Sequence, residues 1–297
     1  MEDLADTRVN KSDFLLEMLT AYSHPSISLW RAIEAKEIDA ILDSNPVKGP
    51  MLDLGCGDGR FTKVALKGSW IDIGIDIFRE PVSKAKQAGC YTNLGVADGS
   101  MLPFRTQSVG TVISNSVLEH IPKVSDVLRE TARVLRDDGL LVFSVPSANF
   151  RLFLFPSVFA RLRFLRGFSE WYSNKRNTLL EHRNLHYEET WRDWLREEGF
   201  TSIDCRHCMP RETVQLWDIM AVTTYLSMRA LRRFPRLAKP VLRITKRMRI
   251  RMFGLILRKY YLGSAIIGGD LIVLATKRSP FGAVAGFSKP ILARHES

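Results

Sequence analysis

Along residues 50–146 short apolar runs alternate with amphipathic stretches. The runs MLDL, IDIGID, YTNLGVAD, VGTVISN and LLVFSVP read as strands, short and together rich in β-branched residues. Between them RFTKVAL, PVSKAKQAG and VSDVLRETARVLRDDG place apolar residues three and four apart and read as helices. Pro81 suits the first turn of the second of these helices, and Gly139 predicts the end of the third. Upstream, residues 12–42 read as helix, with Leu15, Leu16 and Leu19 on one face, and DSNPVKGP as the loop that follows. Beyond Pro146 the alternation stops. Residues 147–186 are rich in Arg and Phe, YEETWRDWLREEGF reads as a helix ended near Gly199, and TSIDCRHCM as a sixth strand. Residues 211–264 read as long helical stretches and GGDLIVLATKR as a last strand.

Strand–helix alternation with short connections predicts an α/β fold: a doubly wound, mostly parallel sheet of seven strands. Helical insertions follow the fifth strand and precede the last. The expected division is N-terminal helices over 1–45, one domain over 46–280 carrying inserts at 147–186 and 211–264, and a tail over 281–297.

Three glycines at alternate positions, Gly55, Gly57 and Gly59, close the first strand in LGCGDGRF. A tight turn needs residues free of the Cβ restriction, and a ligand needs bare backbone to approach. The helix start behind such a turn offers unpaired N–H groups, and open α/β sheets bind ligands at the carboxyl ends of their strands. This predicts a nucleotide-type site that includes the backbone of Cys56. A dinucleotide fingerprint spaces its glycines G-x-G-x-x-G, whereas here the spacing is G-x-G-x-G with Asp53 two residues earlier. A carboxylate there repels a pyrophosphate and suits an ammonium group. The second strand ends in Asp76, placed to accept from ribose hydroxyls, and the third runs into Asp98, placed for an adenine amino group.

In order, LDLGCGDGRF, GIDIF, GVADGSMLPF, ISNSVLEHIP and RVLRDDGLLVFSVPS resemble the motifs of the class I S-adenosylmethionine-dependent methyltransferases, more narrowly the type 11 group that includes quinone-biosynthesis enzymes. The resemblance covers about residues 48–147, with a weaker match in EETWRDWLREEGF. It implies S-adenosyl-L-methionine as cofactor and a last strand antiparallel to the rest. It also implies cofactor contacts from the backbone around Gly55 and Gly57, from Asp76 with Ile77, from Asp98 with Gly99, and from Asn115 beside the sulfonium. Methyl transfer from a sulfonium needs an acceptor held in line and water excluded. His120, just after the fourth strand, is the candidate general base for a hydroxyl acceptor. His182 and His186 could share a helix face as metal ligands, but with no third ligand evident they are expected to order a loop over the pocket. No metal is expected. Cys205 and Cys208 form a lone CxxC, expected as two small residues on a strand.

Charge separates the two halves. Residues 1–150 carry 16 Lys and Arg against 20 Asp and Glu, and residues 151–297 carry 27 against 12. No acidic residue stands between Asp218 and Asp270, while 12 Lys or Arg fall within 229–259. There Val241, Ile244, Met248, Met252 and Leu255 predict an apolar face flanked by Arg243, Lys246, Arg247, Arg251 and Lys259. Such a stretch reads either as a membrane-surface helix or as a lid packed on the sheet. It is too apolar for a phosphate track, which disfavours nucleic acid. The acidic, polar start is not a leader peptide, and no apolar run is long enough to span a bilayer. The expectation is a cytoplasmic enzyme, peripheral at the inner face of the membrane, that methylates a hydrophobic or lipid-linked acceptor. The alternatives are a soluble metabolite or RNA as acceptor, or a non-catalytic cofactor-binding protein.

Overall fold

The structure is a computed structural model, and it describes residues 13–161, 166–233 and 246–277. Seven strands form one sheet: β1 (Met51–Leu54), β2 (Ile71–Asp76), β3 (Tyr91–Val96), β4 (Val109–Asn115), β5 (Leu135–Pro146), β6 (Phe200–Cys208) and β7 (Asp270–Lys277). Their order is β3-β2-β1-β4-β5-β7-β6, and β7 runs antiparallel to both of its neighbours. The expected doubly wound sheet with a reversed last strand is therefore present. The strand order reverses beside β1, so the carboxyl ends of β1 and β4 border the crevice in which this class of sheet binds ligands.

Helices cover both faces. On one lie α1 (Phe14–Ala21), α2 (Pro25–Ser44) and α3 (Arg60–Ala65); α4 (Arg79–Ala88) joins β2 to β3. The segment read as one helix over 12–42 is two, because Pro25 cannot donate to a preceding turn and restricts His24 to extended backbone. On the other face α5 (Val124–Val134) packs with α8 (Glu188–Glu197), where Trp191 and Leu195 are fully buried under Phe143 and Leu141. α5 ends five residues before the expected stop at Gly139. Leu135 already pairs with Val109, and the chain turns through Asp138 at φ +58 before Leu140 resumes the ladder.

After β5 come α6 (Asn149–Phe153), a short 3-10 turn (Phe155–Arg161) and α7 (Arg166–Leu179); after β6 come α9 (Arg211–Arg233) and α10 (Lys246–Tyr261). α10 packs on α1: its Gly254 leaves room for Leu16, and Arg258 donates to Asp13. Among the described residues, none of α10 lines the aromatic-walled cavity between α2, α6 and α9. Its Ile250, Phe253, Leu257 and Tyr261 face the core, while Met252, Leu255 and Ile256 are exposed among Lys246, Arg247 and Arg251. Val241, Arg243 and Ile244 of the expected apolar-basic face lie outside the described residues, as does the tail. Among the described residues no helix is long and apolar enough to cross a membrane.

Candidate active site

The glycine turn is held from both sides. The N–H groups of Gly55 and Cys56 both donate to Ile75 O at 2.8 Å, so the turn is pinned to β2. Gly55, Gly57 and Gly59 all have positive φ, at 81°, 54° and 73°. A Cβ on Gly55 would stand 2.4 Å from Val117 Cγ2, and one on Gly59 2.9 Å from Ala88 and Tyr91, whereas one on Gly57 meets nothing within 4 Å. Gly55 and Gly59 are therefore glycines for packing, and Gly57 presents open backbone. Beside it, Asp76 Oδ2 accepts from Gly57 N (3.0 Å) and Oδ1 from Phe78 N (2.9 Å), which orients the carboxylate and leaves lone pairs on both oxygens. Asp98 is exposed. Its Oδ1 accepts from Ser100 N and Oγ, each at 2.8 Å, and these bonds hold its carboxyl below the usual range, so it is ionised at neutral pH. Ile77, Phe78 and Met101 expose large apolar faces around these two acids.

Asp53 has a different job from the expected ammonium acceptor. It is buried, and its Oδ2 accepts from Thr62 Oγ1 and Tyr91 Oη, both at 2.6 Å. Burial pushes its carboxyl up to about 6 despite those hydroxyls. It ties β1 to α3 and β3 beneath the turn. The residues that remain suit an adenosine joined to an amino acid: bare backbone at Gly57, an oriented carboxylate at Asp76, an exposed carboxylate at Asp98 and apolar faces for a purine. Gly99 is half-buried against Leu54, and Asn115 stands at the end of β4.

Next to this site is a cavity of about 210 Å³. Its apolar walls include Ile27 and Trp30 from α2, Pro146 from β5, Phe150 from α6, Trp217 from α9, and Leu180. Trp30, Phe150 and Trp217 meet edge to face with centroids 5.2–5.6 Å apart. Its polar lining is Arg31, Ser116, Glu119, His120 and His182. His120 lies in a single 3-10 turn (Leu118–His120), and its Nδ1 is 3.2 Å from Glu181 O. A carbonyl only accepts, so Nδ1 carries the proton and Nε2 is left as the basic nitrogen, 3.6 Å from Glu119 Oε1.

His182 and His186 are not on a helix, so they share no helix face. The segment between α7 and α8 is strapped onto the 118–121 turn: Arg183 N and Asn184 N donate to Glu119 O, and Asn184 Nδ2 donates to Leu118 O and Ile121 O. His182 packs on Phe150, and burial lowers it to about 4, keeping it neutral. His186 sits against Trp194. Cys205 and Cys208 are unpaired on β6, and Cys208 Sγ lies 3.5 Å from Asp270 Oδ2. Among the described residues no three His, Cys, Asp or Glu side chains are placed so that they could hold a metal ion.

The residues the sequence reading missed are Arg31, Glu34 and the aromatic walls. Glu34 had a visible signal: it interrupts the apolar stripe Trp30–Ile38–Ile41 on α2. Glu119 is only 1% exposed, and burial raises its carboxyl to about 8. An acid whose folded-state pKa lies above its unfolded value gives up its proton first in the unfolded chain. Stability is then greatest below about 4.5 and falls as pH rises towards 8. Glu119→Gln is expected to melt at the same temperature as wild type near pH 5. Near pH 9 it should melt several degrees higher, a gain on the order of a few kcal/mol at about 1.36 kcal/mol per unit. Thermal melts at the two pH values check this; parallel curves would place the Glu119 pKa in its ordinary range.

Comparison with known proteins bears on the family and the fold. Residues 52–143 match the methyltransferase domain family. The ubiquinone biosynthesis O-methyltransferase of Hahella chejuensis is 32% identical over 130 residues, 41% of this chain and 54% of that one. The chain spans about half the length of the curated relatives it matches first. Among solved structures, an S-adenosylmethionine-dependent methyltransferase of Thermotoga maritima, described as a possible histamine N-methyltransferase, has a TM-score of 0.52 at 15% identity and covers 89% of this chain and 92% of its own. The [4+2]-cyclase SpnF also scores 0.52, at 16% identity, covering 82% of this chain and 81% of its own. These likenesses establish the fold, and the family match lies over the glycine turn and the strand-end acids. Residues 52–143 are a methyltransferase domain of the type 11 family, whose cofactor is S-adenosyl-L-methionine.

Proposed function

We propose that the protein transfers a methyl group from S-adenosyl-L-methionine to a hydrophobic or lipid-linked acceptor that it meets at a membrane surface. The observation that carries the reading is the aromatic-walled cavity, lined by Ser116, whose chain neighbour Val117 lies against Gly55 of the glycine turn. Bound against that turn, the cofactor supplies an electrophilic methyl group on a sulfonium. Gly57 and Asp76 would hold it, with Asp98 and Ile77 towards the purine end and Asn115 towards the sulfur. Trp30, Phe150 and Trp217 hold an apolar acceptor and exclude water. For a hydroxyl acceptor, His120 Nε2 is the group that would accept the hydroxyl proton, while the methyl group would pass from sulfur to oxygen and leave the cofactor as a neutral thioether. The relative from Hahella chejuensis, named for ubiquinone biosynthesis, supports an apolar acceptor.

Membrane contact is supported by α10, with exposed Met252, Leu255 and Ile256 among cations and no acid in the helix. Buried apolar area and attraction to anionic lipid add, at about 1 kcal/mol per basic residue near the surface. In this reading the enzyme works on the cytoplasmic face. Wild type should therefore sediment with phosphatidylglycerol vesicles at low salt and less at high salt. Replacing Arg243, Lys246, Arg247 and Arg251 with Gln should release it without changing cofactor affinity. Wild type remaining in solution at low salt would remove the membrane from the proposal. A second reading is a cofactor-binding protein without methyl transfer. Cofactor binding with no radiolabelled methyl passing into any membrane-lipid or metabolite fraction would favour it.

A further inference from the structure

Helix α2 lies outside the matched domain, yet it reaches both ligand sites. Within about two turns it sends Ile27, Trp30 and Arg31 to the acceptor cavity and Glu34 to the ends of β4 and β5. Glu34 is fully buried and accepts four hydrogen bonds. Its Oε1 receives Ser116 Oγ (2.6 Å) and Ser144 Oγ (2.9 Å), and its Oε2 receives Arg31 Nη1 (2.8 Å) and Asn115 Nδ2 (3.1 Å). A carboxylate with four donors, one of them a guanidinium, has its charge fully matched.

Two features mark the segment that Glu34 contacts. Ser116 is held at φ +49, a left-handed conformation that costs an ordinary residue free energy. The Asn115 amide turns its nitrogen to Glu34, which can only accept, and so leaves its buried Oδ1 without a donor. Val117, the next residue, lies directly against Gly55 in the cofactor turn. A contiguous path therefore runs from Glu34 through Asn115 and Ser116 to the glycine turn.

We propose that Glu34 is a positioning residue: from the N-terminal helix it fixes Asn115 and Ser116, so that cofactor affinity depends on a side chain outside the cofactor-binding domain. The inference rests on the methyltransferase reading of the site. It also means that the α2 segment forming the acceptor wall is in place when the cofactor edge is in place.

The test is calorimetric titration with S-adenosylhomocysteine, beside thermal melts of each variant. Glu34→Gln keeps the volume and the two serine bonds, but its amide nitrogen then faces Arg31 and makes the Asn115 amide turn over to present its oxygen. Its affinity should fall ten-fold or more, with a melting point still showing a folded protein. Asn115→Asp alone sets a second carboxylate against Glu34 and should also weaken binding; Asn115→Ala, which removes the amide without adding charge, is the variant that stays folded and should weaken binding as well. In the double variant the carboxylate introduced at position 115 accepts from the amide introduced at position 34, and affinity should return to within about three-fold of wild type. A merely structural Glu34 would show additive losses instead. Wild-type affinity in Glu34→Gln, or additive losses in the double variant, overturns the inference alone. Absence of binding by wild type overturns the methyltransferase reading and the inference with it.

Discussion

Asp76→Ala is expected to weaken S-adenosylhomocysteine binding by ten-fold or more. Asp76 stands at the carboxyl end of β2 and is oriented by the N–H groups of Gly57 and Phe78. Both oxygens keep lone pairs aimed away from those donors, which suits two hydroxyls on neighbouring carbons. Hydrogen bonds to a charged group contribute about 1.5–3 kcal/mol each, so losing two exceeds a factor of ten even at the lower figure. The substitution also releases Gly57 N, which loosens the turn and adds to the loss. Asp76→Asn should fall between the two, since one acceptor oxygen remains. Calorimetry on folded variants decides it. An unchanged dissociation constant in Asp76→Ala would show that this carboxylate serves only the turn.

A pair of glycine substitutions should separate stability from binding. In Gly55→Ala the new methyl would stand 2.4 Å from Val117 Cγ2 and 2.8 Å from Cγ1, at φ +81. Left-handed backbone costs about 1–2 kcal/mol and overpacking about 1–3 kcal/mol. At roughly 2–4 °C per kcal/mol for a chain of this size, a fall in melting temperature of about 5–15 °C is expected. In Gly57→Ala the methyl enters open space, so only the smaller backbone cost applies. That open space is where a ligand approaches bare backbone, so this variant should stay folded while cofactor affinity drops more than ten-fold. Melts and titrations of both variants check the contrast. Equal melting temperatures would mean that Val117 moves aside freely, and wild-type affinity in Gly57→Ala would place the cofactor elsewhere.

Much of the fold is legible in the sequence because it rests on local rules. The strands from MLDL to LLVFSVP stand where their apolar runs place them, and the glycines of the turn have the positive φ that only glycine adopts freely. Errors came where a neighbour overrode the local pattern. Periodicity carried α5 to Gly139, but pairing of Leu135 with Val109 pulled the chain into β5 first. The apolar positions of residues 12–42 are continuous, yet Pro25 splits them into two helices.

Asp53 and Glu34 mark the boundary most sharply. The sequence placed Asp53 correctly at the end of the first strand, but which donors it meets depends on Thr62 in α3 and Tyr91 in β3. Glu34 shows in the sequence only as an acid in an apolar stripe. Its four partners lie on α2, at the end of β4, in the residue just after it and on β5, as far as 110 positions along the chain. The sequence by itself determined the order of strands and helices, the glycine turn and the strand-end acids, because backbone conformation and amphipathic period depend on near neighbours. Only the tertiary structure decided which carboxyl meets cofactor, which is buried against hydroxyls and which anchors a helix. Burial and hydrogen-bond partnership are made by segments distant in the chain, and no spacing within one segment encodes them.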